Sequence, residues 1–407
     1  MPKSSRVLLA AALPLCLLVV AVLGPRSAGA ARPAARSLLQ NPDFERGMPT
    51  HPWMPSGWDT STAELPTVFF GRDSFIVHGG KWAVNVANMS GAIPLAHNWS
   101  QTLLVGPETW GKVAVFKAWT RSNGVDGRAY LLVQAYADTV SRMAHIWNVD
   151  REEAFKRLGI NKIDDPLLDL GWKRTQFDEP LTEWVQREAR AYVPPGTNVL
   201  FVRCGLMGTG QVLFDDASLT FEKAPAAERP AKGENLFAEP GFEQRGLAWD
   251  VAIPPYEGAK VVVDSTVAHT GRCSIKLADF HDGLVEARIG VAQPFEGRRL
   301  RGLRVRLSAW FKGDSLRGSA LVKIYAQGLR THVLQSPAAE LLSGTWDWKQ
   351  VAIELDIPDD AELVWANCIA FAPAPGTVWI DDAKFEVVGP ATSAPSPGRK
   401  TAAVNRR

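Results

Sequence analysis

Two short segments of the sequence place a pair of carboxylates in the middle of a strand pattern. They are residues 212–221 (VLFDDASLTF) and 378–387 (VWIDDAKFEV), in which β-branched and aromatic residues alternate with others. Carboxylates inside a strand are costly to bury unless something neutralises their charge. A hard cation that takes oxygen ligands would do so beside a Glu from an earlier strand, and calcium fits best. The alternative is that these carboxylates cap neighbouring backbone amides.

Three further strand patterns in each half of the chain separate an apolar side from a mixed side. The mixed side combines aromatic rings with amide, guanidinium and ammonium groups, which suits sugars because their C–H faces stack on rings while their hydroxyls need polar partners. The alternative is that loops cover this side and its aromatics only pack. The basic residues favour acidic glycans. The candidate ligand-binding residues are Trp119, Gln134, Tyr136 and Arg203 in the first half, and Trp310, Lys323, Tyr325 and Asn367 in the second.

Both sets of candidates belong to a sequence that contains two copies of one module. HGGKWAV at 78–84 corresponds to HTGRCSI at 269–275, and Trp119 corresponds to Trp310. A repeat this long indicates duplicated domains and not a solenoid. The predicted modules are 36–223 and 234–389, joined by a linker at 224–233 that is rich in Ala and Pro.

Each copy consists of short alternating segments separated by Gly, Pro and Asp, which is typical of antiparallel β-sandwiches and jelly rolls. The predicted fold is therefore all-β, with two tandem antiparallel β-sandwich (jelly-roll) domains. The first copy carries an insertion at about 139–180. Within it, 151–158 favours a helix that Gly159 would end, so the insertion is predicted to be partly helical.

The order of these motifs resembles calcium-containing jelly-roll carbohydrate-binding modules of the galactose-binding-like superfamily, of the kind appended to secreted cellulases and xylanases. The resemblance covers both copies and rests on the Phe-Glu openings, the 78–84 and 269–275 segments, the Asp-Asp strands, and Trp184 and Trp348. It implies no particular sugar. It implies one structural calcium per module, held by Glu45 with Asp215 or Asp216, and by Glu243 with Asp381 or Asp382.

The predicted function is non-catalytic binding of polysaccharide or glycoconjugate, and two linked modules would raise avidity on a repeating polymer. The alternative is a structural or adhesive surface protein whose modules contact other proteins. The sequence has no His-Glu-x-x-His, Gly-x-Ser-x-Gly, P-loop or EF-hand motif, so no enzyme is predicted. A formal net charge of +2 gives no reason to expect nucleic-acid binding.

The first 30 residues read as a secretory signal, with a basic start, an apolar run at 7–23 and Ala-Gly-Ala before a cleavage site. The predicted location is therefore secreted, periplasmic or cell-surface, and no later segment is long and apolar enough to span a membrane. Residues 390–407 are predicted to be a disordered tail. Cys204 and Cys368 are predicted to be buried thiols, with a Cys273–Cys368 disulfide as the alternative.

Overall fold

The structure is a computed structural model that describes residues 37–60, 67–89, 96–159, 167–252, 260–278, 288–337, 340–371 and 376–392. The predicted signal at 1–30 and most of the predicted tail at 390–407 lie outside these residues. Within the described part of the chain, no helix has the length and apolar character needed to cross a bilayer.

The eight strands of the first module form one connected antiparallel network, in which each strand pairs with its neighbours. Its strands are β1 (Asp59–Thr60), β2 (Val68–Asp73), β3 (Ala83–Asn88), β4 (Ala96–Leu104), β5 (Lys112–Ala137), β6 (Leu168–Phe177), β7 (Leu181–Tyr192) and β8 (Val199–Lys223). The second module repeats the arrangement with β9 (Asp250–Ala252), β10 (Lys260–Asp264), β11 (Ser274–Ala278), β12 (Arg288–Glu296), β13 (Leu303–Gly328), β14 (His332–Gln335), β15 (Leu342–Asp356), β16 (Ala361–Phe371) and β17 (Thr377–Pro390).

Two long strands, β5 and β8, divide the first module into two layers. Residues 112–123 of β5 pair with 211–223 of β8, whereas 126–136 of β5 pair with 199–209 of β8. Strands β2, β3 and β7 extend the first of these pairings, which we call layer A. Strands β1, β4 and β6 extend the second pairing, which we call layer B.

The turn from one layer to the other depends on glycine. Gly127 and Gly208 have φ values of 124° and 111°, which other residues rarely adopt. A Cβ on Gly127 would collide with the carbonyl of Met207, and one on Gly208 with that of Asp126. These glycines therefore let β5 and β8 cross closely while both strands bend.

The core lies between the two layers, as the alternation of side chains requires. Phe116 from layer A and Val133 from layer B are both fully buried in one apolar cluster. The second module repeats this division around β13. Its layer A′ contains β10, β11, β17, β15 and the first half of β13, and its layer B′ contains β9, β12, β16, β14 and the second half. The predicted all-β sandwich fold is confirmed.

The described part of the insertion, 139–159 and 167–180, contains two helices and one strand. The predicted helix is confirmed as α2 (Arg151–Leu158), with Asp150 capping its start and Gly159 in the left-handed conformation at its end. A helix that was not predicted, α1 (Thr139–Trp147), precedes it. Strand β6 then pairs with β5, so part of the insertion belongs to layer B and not to a loop.

The segment predicted to be a linker lies against the second module. The amide of Gly233 donates a hydrogen bond to the carbonyl of Val387, at 3.0 Å. Arg298 and Arg299 donate to the carbonyls of Pro225 and Glu228, at 3.2 and 3.0 Å. These hydrogen bonds fix residues 224–233 along their length, whereas a freely flexible spacer would make no such bonds.

Candidate functional site

Each Asp-Asp pair lies at a bulge in layer A or layer A′. Asp215 and Asp381 are fully buried, as their register with the apolar residues predicts. The next residues, Asp216 and Asp382, have φ values of 43° and 46° and so leave the regular strand conformation. The bulge therefore directs the two carboxylates of each pair to different partners.

The buried carboxylates cap backbone amides. Asp215 accepts hydrogen bonds from the amides of His78, Gly79 and Asp216, at 2.8, 3.1 and 2.7 Å. Burial raises the pKa of Asp215 to about 6, although these three amides act to lower it. Asp381 accepts the equivalent three bonds at 2.8, 3.2 and 2.7 Å.

The exposed member of each pair holds a histidine against two tryptophans. Asp216 lies 2.6 Å from Nδ1 of His78, whose ring stacks on Trp119 with centroids 4.0 Å apart and lies edge-on to Trp184 at 5.9 Å. The second module repeats this arrangement with Asp382, His269, Trp310 and Trp348. The corresponding distances are 2.6, 4.0 and 5.5 Å. We call each group the Asp-His-Trp cluster.

The predicted calcium ligands fit amide capping better than they fit a cation. Glu45 Oε1 accepts the amides of Lys81 and Trp82 at 2.6 and 2.9 Å, and Glu243 Oε1 accepts two equivalent amides at 2.8 and 3.0 Å. A cation at these oxygens would face the positive ends of the N–H dipoles. Among the described residues, no group of three or more His, Cys, Asp or Glu side chains is arranged to hold a metal. Calcium at these six carboxylates stays a prediction, and we derive no function from it.

The structure separates the candidate ligand-binding residues into two sets. Trp119 lies in the layer A half of β5, whereas Gln134 and Tyr136 lie in its layer B half. Because the core lies between these layers, their outer faces point in opposite directions and cannot contact one saccharide together. The sequence pattern treats them as one mixed side, since alternation shows only which residues face the core and not which layer they belong to. Trp310 is separated from Lys323 and Tyr325 in the same way.

The outer face of layer B carries a connected polar group. Gln134 is buried and donates to the hydroxyl of Tyr136 at 2.7 Å, while Arg203 donates to Gln134 Oε1. The Arg203 guanidinium lies over the ring of Phe201, 5.0 Å from its centroid. Burial raises the pKa of Asp169 to about 7, and the nearby Arg203 acts in the opposite direction. This face combines aromatic rings with hydrogen-bonding groups.

The outer face of layer B′ is similar in character and different in detail. Lys323 donates to the carbonyl of Ser336 at 2.6 Å, and burial lowers the pKa of its ammonium group. Asn367 is buried and donates to the carbonyl of Lys323 at 3.2 Å. Tyr325 is half-buried and lies opposite Trp365 on the neighbouring strand. Lys323, Tyr325 and Asn367 are thus together on one face.

The outer faces of layers B and B′ meet. Trp172 of β6 lies opposite Gln134 in the ladder, and its ring contacts Trp365 of β16 at a centroid distance of 5.4 Å. The indole N–H of Trp172 donates to Asp250 at 3.0 Å. Six of the eight candidate residues therefore belong to two faces that are brought together by the packing of the modules.

Buried polar contacts hold these faces together, and we call them the module seam. Arg174 and Asp250 form an ion pair at 2.9 Å, with only 9% and 12% of their side chains exposed. Arg128 donates to the carbonyl of Trp249 at 2.6 Å, and burial lowers the pKa of its guanidinium to about 10. Gln176 donates to the same carbonyl at 2.9 Å. Groups this deeply buried require partners, so the seam fixes how the modules pack.

Two residues at the centre of this region were not among the candidates. Trp365 shares the mixed side with Asn367, but sequence reasoning does not select it. Trp172 lies in the insertion, which is predicted to be partly helical and for which no strand is predicted. The alternation of Leu168, Leu170 and Trp172 with polar residues is the signal that could have identified β6 as a strand.

The three cysteines of the described chain are free. Cys204 and Cys368 are buried, which confirms the prediction of buried thiols, and the alternative Cys273–Cys368 disulfide does not form. Burial raises the pKa of Cys368 to about 12 and that of Cys204 above its usual range. Neither thiol is suited to nucleophilic chemistry at neutral pH.

Comparisons with known proteins leave the family open. No family model matches the sequence. A curated relative, the uncharacterised HTH-type transcriptional regulator YbfP of Bacillus subtilis, is 28% identical over 141 residues, which are 33% of this chain and 47% of that protein. The chain thus spans about half the length of that relative.

Many solved structures are similar to this chain, and two of them illustrate the likeness. One is the tandem of two family 22 carbohydrate-binding modules from Paenibacillus barcinonensis Xyn10C, with 16% identity, a TM-score of 0.29, and coverage of 86% of this chain and 96% of that chain. The other is a family 61 carbohydrate-binding module in complex with β-1,4-galactotriose, with 19% identity, a TM-score of 0.28, and coverage of 38% and 99%. At scores and identities this low, the likeness carries no argument about the ligand of this chain.

Proposed function

We propose that this protein is an exported, non-catalytic protein that binds polysaccharide or glycoconjugate. The observation that carries the proposal is the half-buried Trp172–Trp365 pair, with half-buried Arg203 and Asp169 on one side and Lys323 on the other. Partly exposed rings supply stacking surfaces for sugar C–H groups, and the flanking side chains supply donors and acceptors for hydroxyls. The secretory pattern of residues 1–30 supports export.

The chemistry of the carboxylates favours binding over catalysis. Asp215 and Asp381 are occupied by three backbone amides each. Glycoside hydrolysis needs two carboxyl groups across a cleft, one of them able to donate a proton. Asp169 has a suitably raised pKa, but it lies beside Arg203, and the other carboxylate near the same Tyr136, Asp138, is paired with Arg151. We therefore expect retention of glycans without turnover.

The test is binding of the purified protein to a broad polysaccharide and glycan array, followed by calorimetry on the retained glycans. Trp365→Ala should weaken binding about tenfold or more, because buried aromatic anchors dominate such interfaces. The matched control is Trp53→Ala, since Trp53 is 54% exposed and lies outside both faces. Binding that is unchanged in Trp365→Ala, in a protein with an unchanged melting temperature, would contradict the proposal.

A second function is favoured by one observation. Gln134, Tyr136 and Asn367 are buried, with 2%, 8% and 1% exposure, and Trp172 of one face contacts Trp365 of the other. Such burial and contact suit a structural or adhesive protein in which these side chains maintain the packing of modules. Under this alternative, no glycan is retained, and Trp365→Ala lowers stability alone.

A further inference from the structure

The outer faces of layers B and B′ are equivalent surfaces of two copies of one module. In a pair of independent modules, each face would be open and would bind its own ligand. Here the two faces are opposed, and a continuous series of neighbours runs from one to the other. Gln134 lies opposite Trp172 in the ladder, Trp172 contacts Trp365, and Trp365 lies opposite Tyr325.

The module seam keeps the two faces in this arrangement. Arg174 and Asp250 pair across it with little exposure, and Arg128 reaches the carbonyl of Trp249 from the other module. At the rim, Arg245 pairs with Asp178 at 2.7 Å. The guanidinium of Arg298 lies 3.8 Å from the ring centroid of Tyr192. Separating the modules would leave several of these buried charges without partners, which is costly.

The region beside the seam retains exposed chemistry. The rings of Phe201, Trp172, Trp365 and Tyr325 are all half-buried, and so are Arg203, Asp169 and Lys323. Arg203 Nε and Asp169 Oδ1 on this face are two of the buried side-chain atoms without a hydrogen-bond partner in the described structure. One is a donor and the other an acceptor, so a sugar hydroxyl that enters between the side chains can satisfy either kind of group.

We infer that layers B and B′ form one composite site, in which a single oligosaccharide contacts both modules at once. This inference rests on the proposed function, since it concerns the same aromatic and polar side chains. Under this inference the protein has one binding site, to which each module contributes a different half. It does not have two separate sites that act together through avidity. Arg203, Asp169 and Phe201 come from the first module, and Lys323, Tyr325 and Trp365 from the second.

The experiment is isothermal titration of the purified protein with three probes: cellohexaose, xylohexaose and hexagalacturonic acid. One composite site gives a stoichiometry of one. Arg203→Ala and Lys323→Ala should each weaken that same binding event about tenfold to a hundredfold, because each removes a charge-assisted hydrogen-bond donor. The matched controls are Arg121→Ala and Lys312→Ala, which remove the same charges from layers A and A′.

A stoichiometry of two would overturn the inference while leaving the proposed function intact. In that case Arg203→Ala would abolish one of two binding events and leave the affinity of the other unchanged. No binding of any probe, together with no retention on the glycan array, would overturn the proposed function and the inference with it. Arg203→Lys keeps the charge and serves as a second variant if Arg203→Ala fails to fold.

Discussion

Removing Asp250 should destabilise the protein more than removing any surface carboxylate. Its side chain is 12% exposed, pairs with Arg174 at 2.9 Å, and accepts the indole N–H of Trp172 at 3.0 Å. Asp250→Ala leaves the Arg174 guanidinium buried without a counter-ion, and also removes an attraction that Arg128 experiences.

Breaking a buried pair from one side costs about 3–5 kcal/mol, and we take the lower end because Asp250 is not fully enclosed. A loss of about 3 kcal/mol corresponds to a fall of roughly 6–12 °C in melting temperature for domains of this size. The pair itself need not be a net source of stability. Burial raises the pKa of Asp250 despite the opposing effect of Arg174, so desolvation outweighs the attraction. The double variant Arg174→Met/Asp250→Leu should therefore recover most of the loss.

The assay is differential scanning calorimetry together with urea denaturation of both variants. Asp347→Ala is the matched control, because Asp347 pairs with Lys312 at 2.6 Å but is 84% exposed, and its removal should change nothing measurable. Asp250→Ala should also separate the unfolding of the modules into two transitions, since the seam couples them. A loss no larger than that of Asp347→Ala would refute the view that buried charges hold the modules together.

Three further predictions follow from the described environments. Asp169 has a pKa of about 7 in the folded protein and near 4 in the unfolded chain. As pH rises from about 4 to about 7, the unfolded chain loses this proton first, so the folded state loses stability over that range. The penalty is full above about pH 7 and disappears as pH falls toward 4. Asp169→Asn should therefore raise stability at pH 8 by up to about 4 kcal/mol, because a pKa about 3 above its unfolded value corresponds to about that free energy, and it should have less effect at pH 4, as measured by urea denaturation at both pH values; equal effects would contradict this. In the native protein, a thiol reagent should modify Cys273 but neither Cys204 nor Cys368 until denaturant is added; rapid modification of either buried thiol would show that the core opens. If one calcium binds per module as predicted, EDTA should lower the melting temperature and added calcium should restore it; an unchanged melting temperature would show that Glu45, Asp215, Glu243 and Asp381 act only as caps of backbone amides.

The sequence predicts the fold well because the information required is local. Alternation identifies the strands, Gly159 ends a helix where predicted, and the duplicated motifs identify two modules. The candidate site is predicted less well because its geometry is not local. Nothing in the alternation of β5 shows that the strand bends near Gly127, so Trp119 and Tyr136 are assigned to one face although they lie in opposite layers. The packing of one module on the other has no sequence pattern at all.

The two copies of the module keep one group of side chains nearly unchanged and differ in another. The Asp-His-Trp cluster is nearly identical in both, with stacked rings 4.0 Å apart and interplanar angles of 16° and 17°. The faces of layers B and B′ instead diverge, since Gln134 lies opposite Phe201 in one copy, whereas Lys323 lies opposite Asn367 in the other. Two independent sites for the same sugar would give no reason for such divergence within one chain. A single ligand with two different sides, held between the modules, requires two different faces, and the divergence is therefore what the composite site predicts.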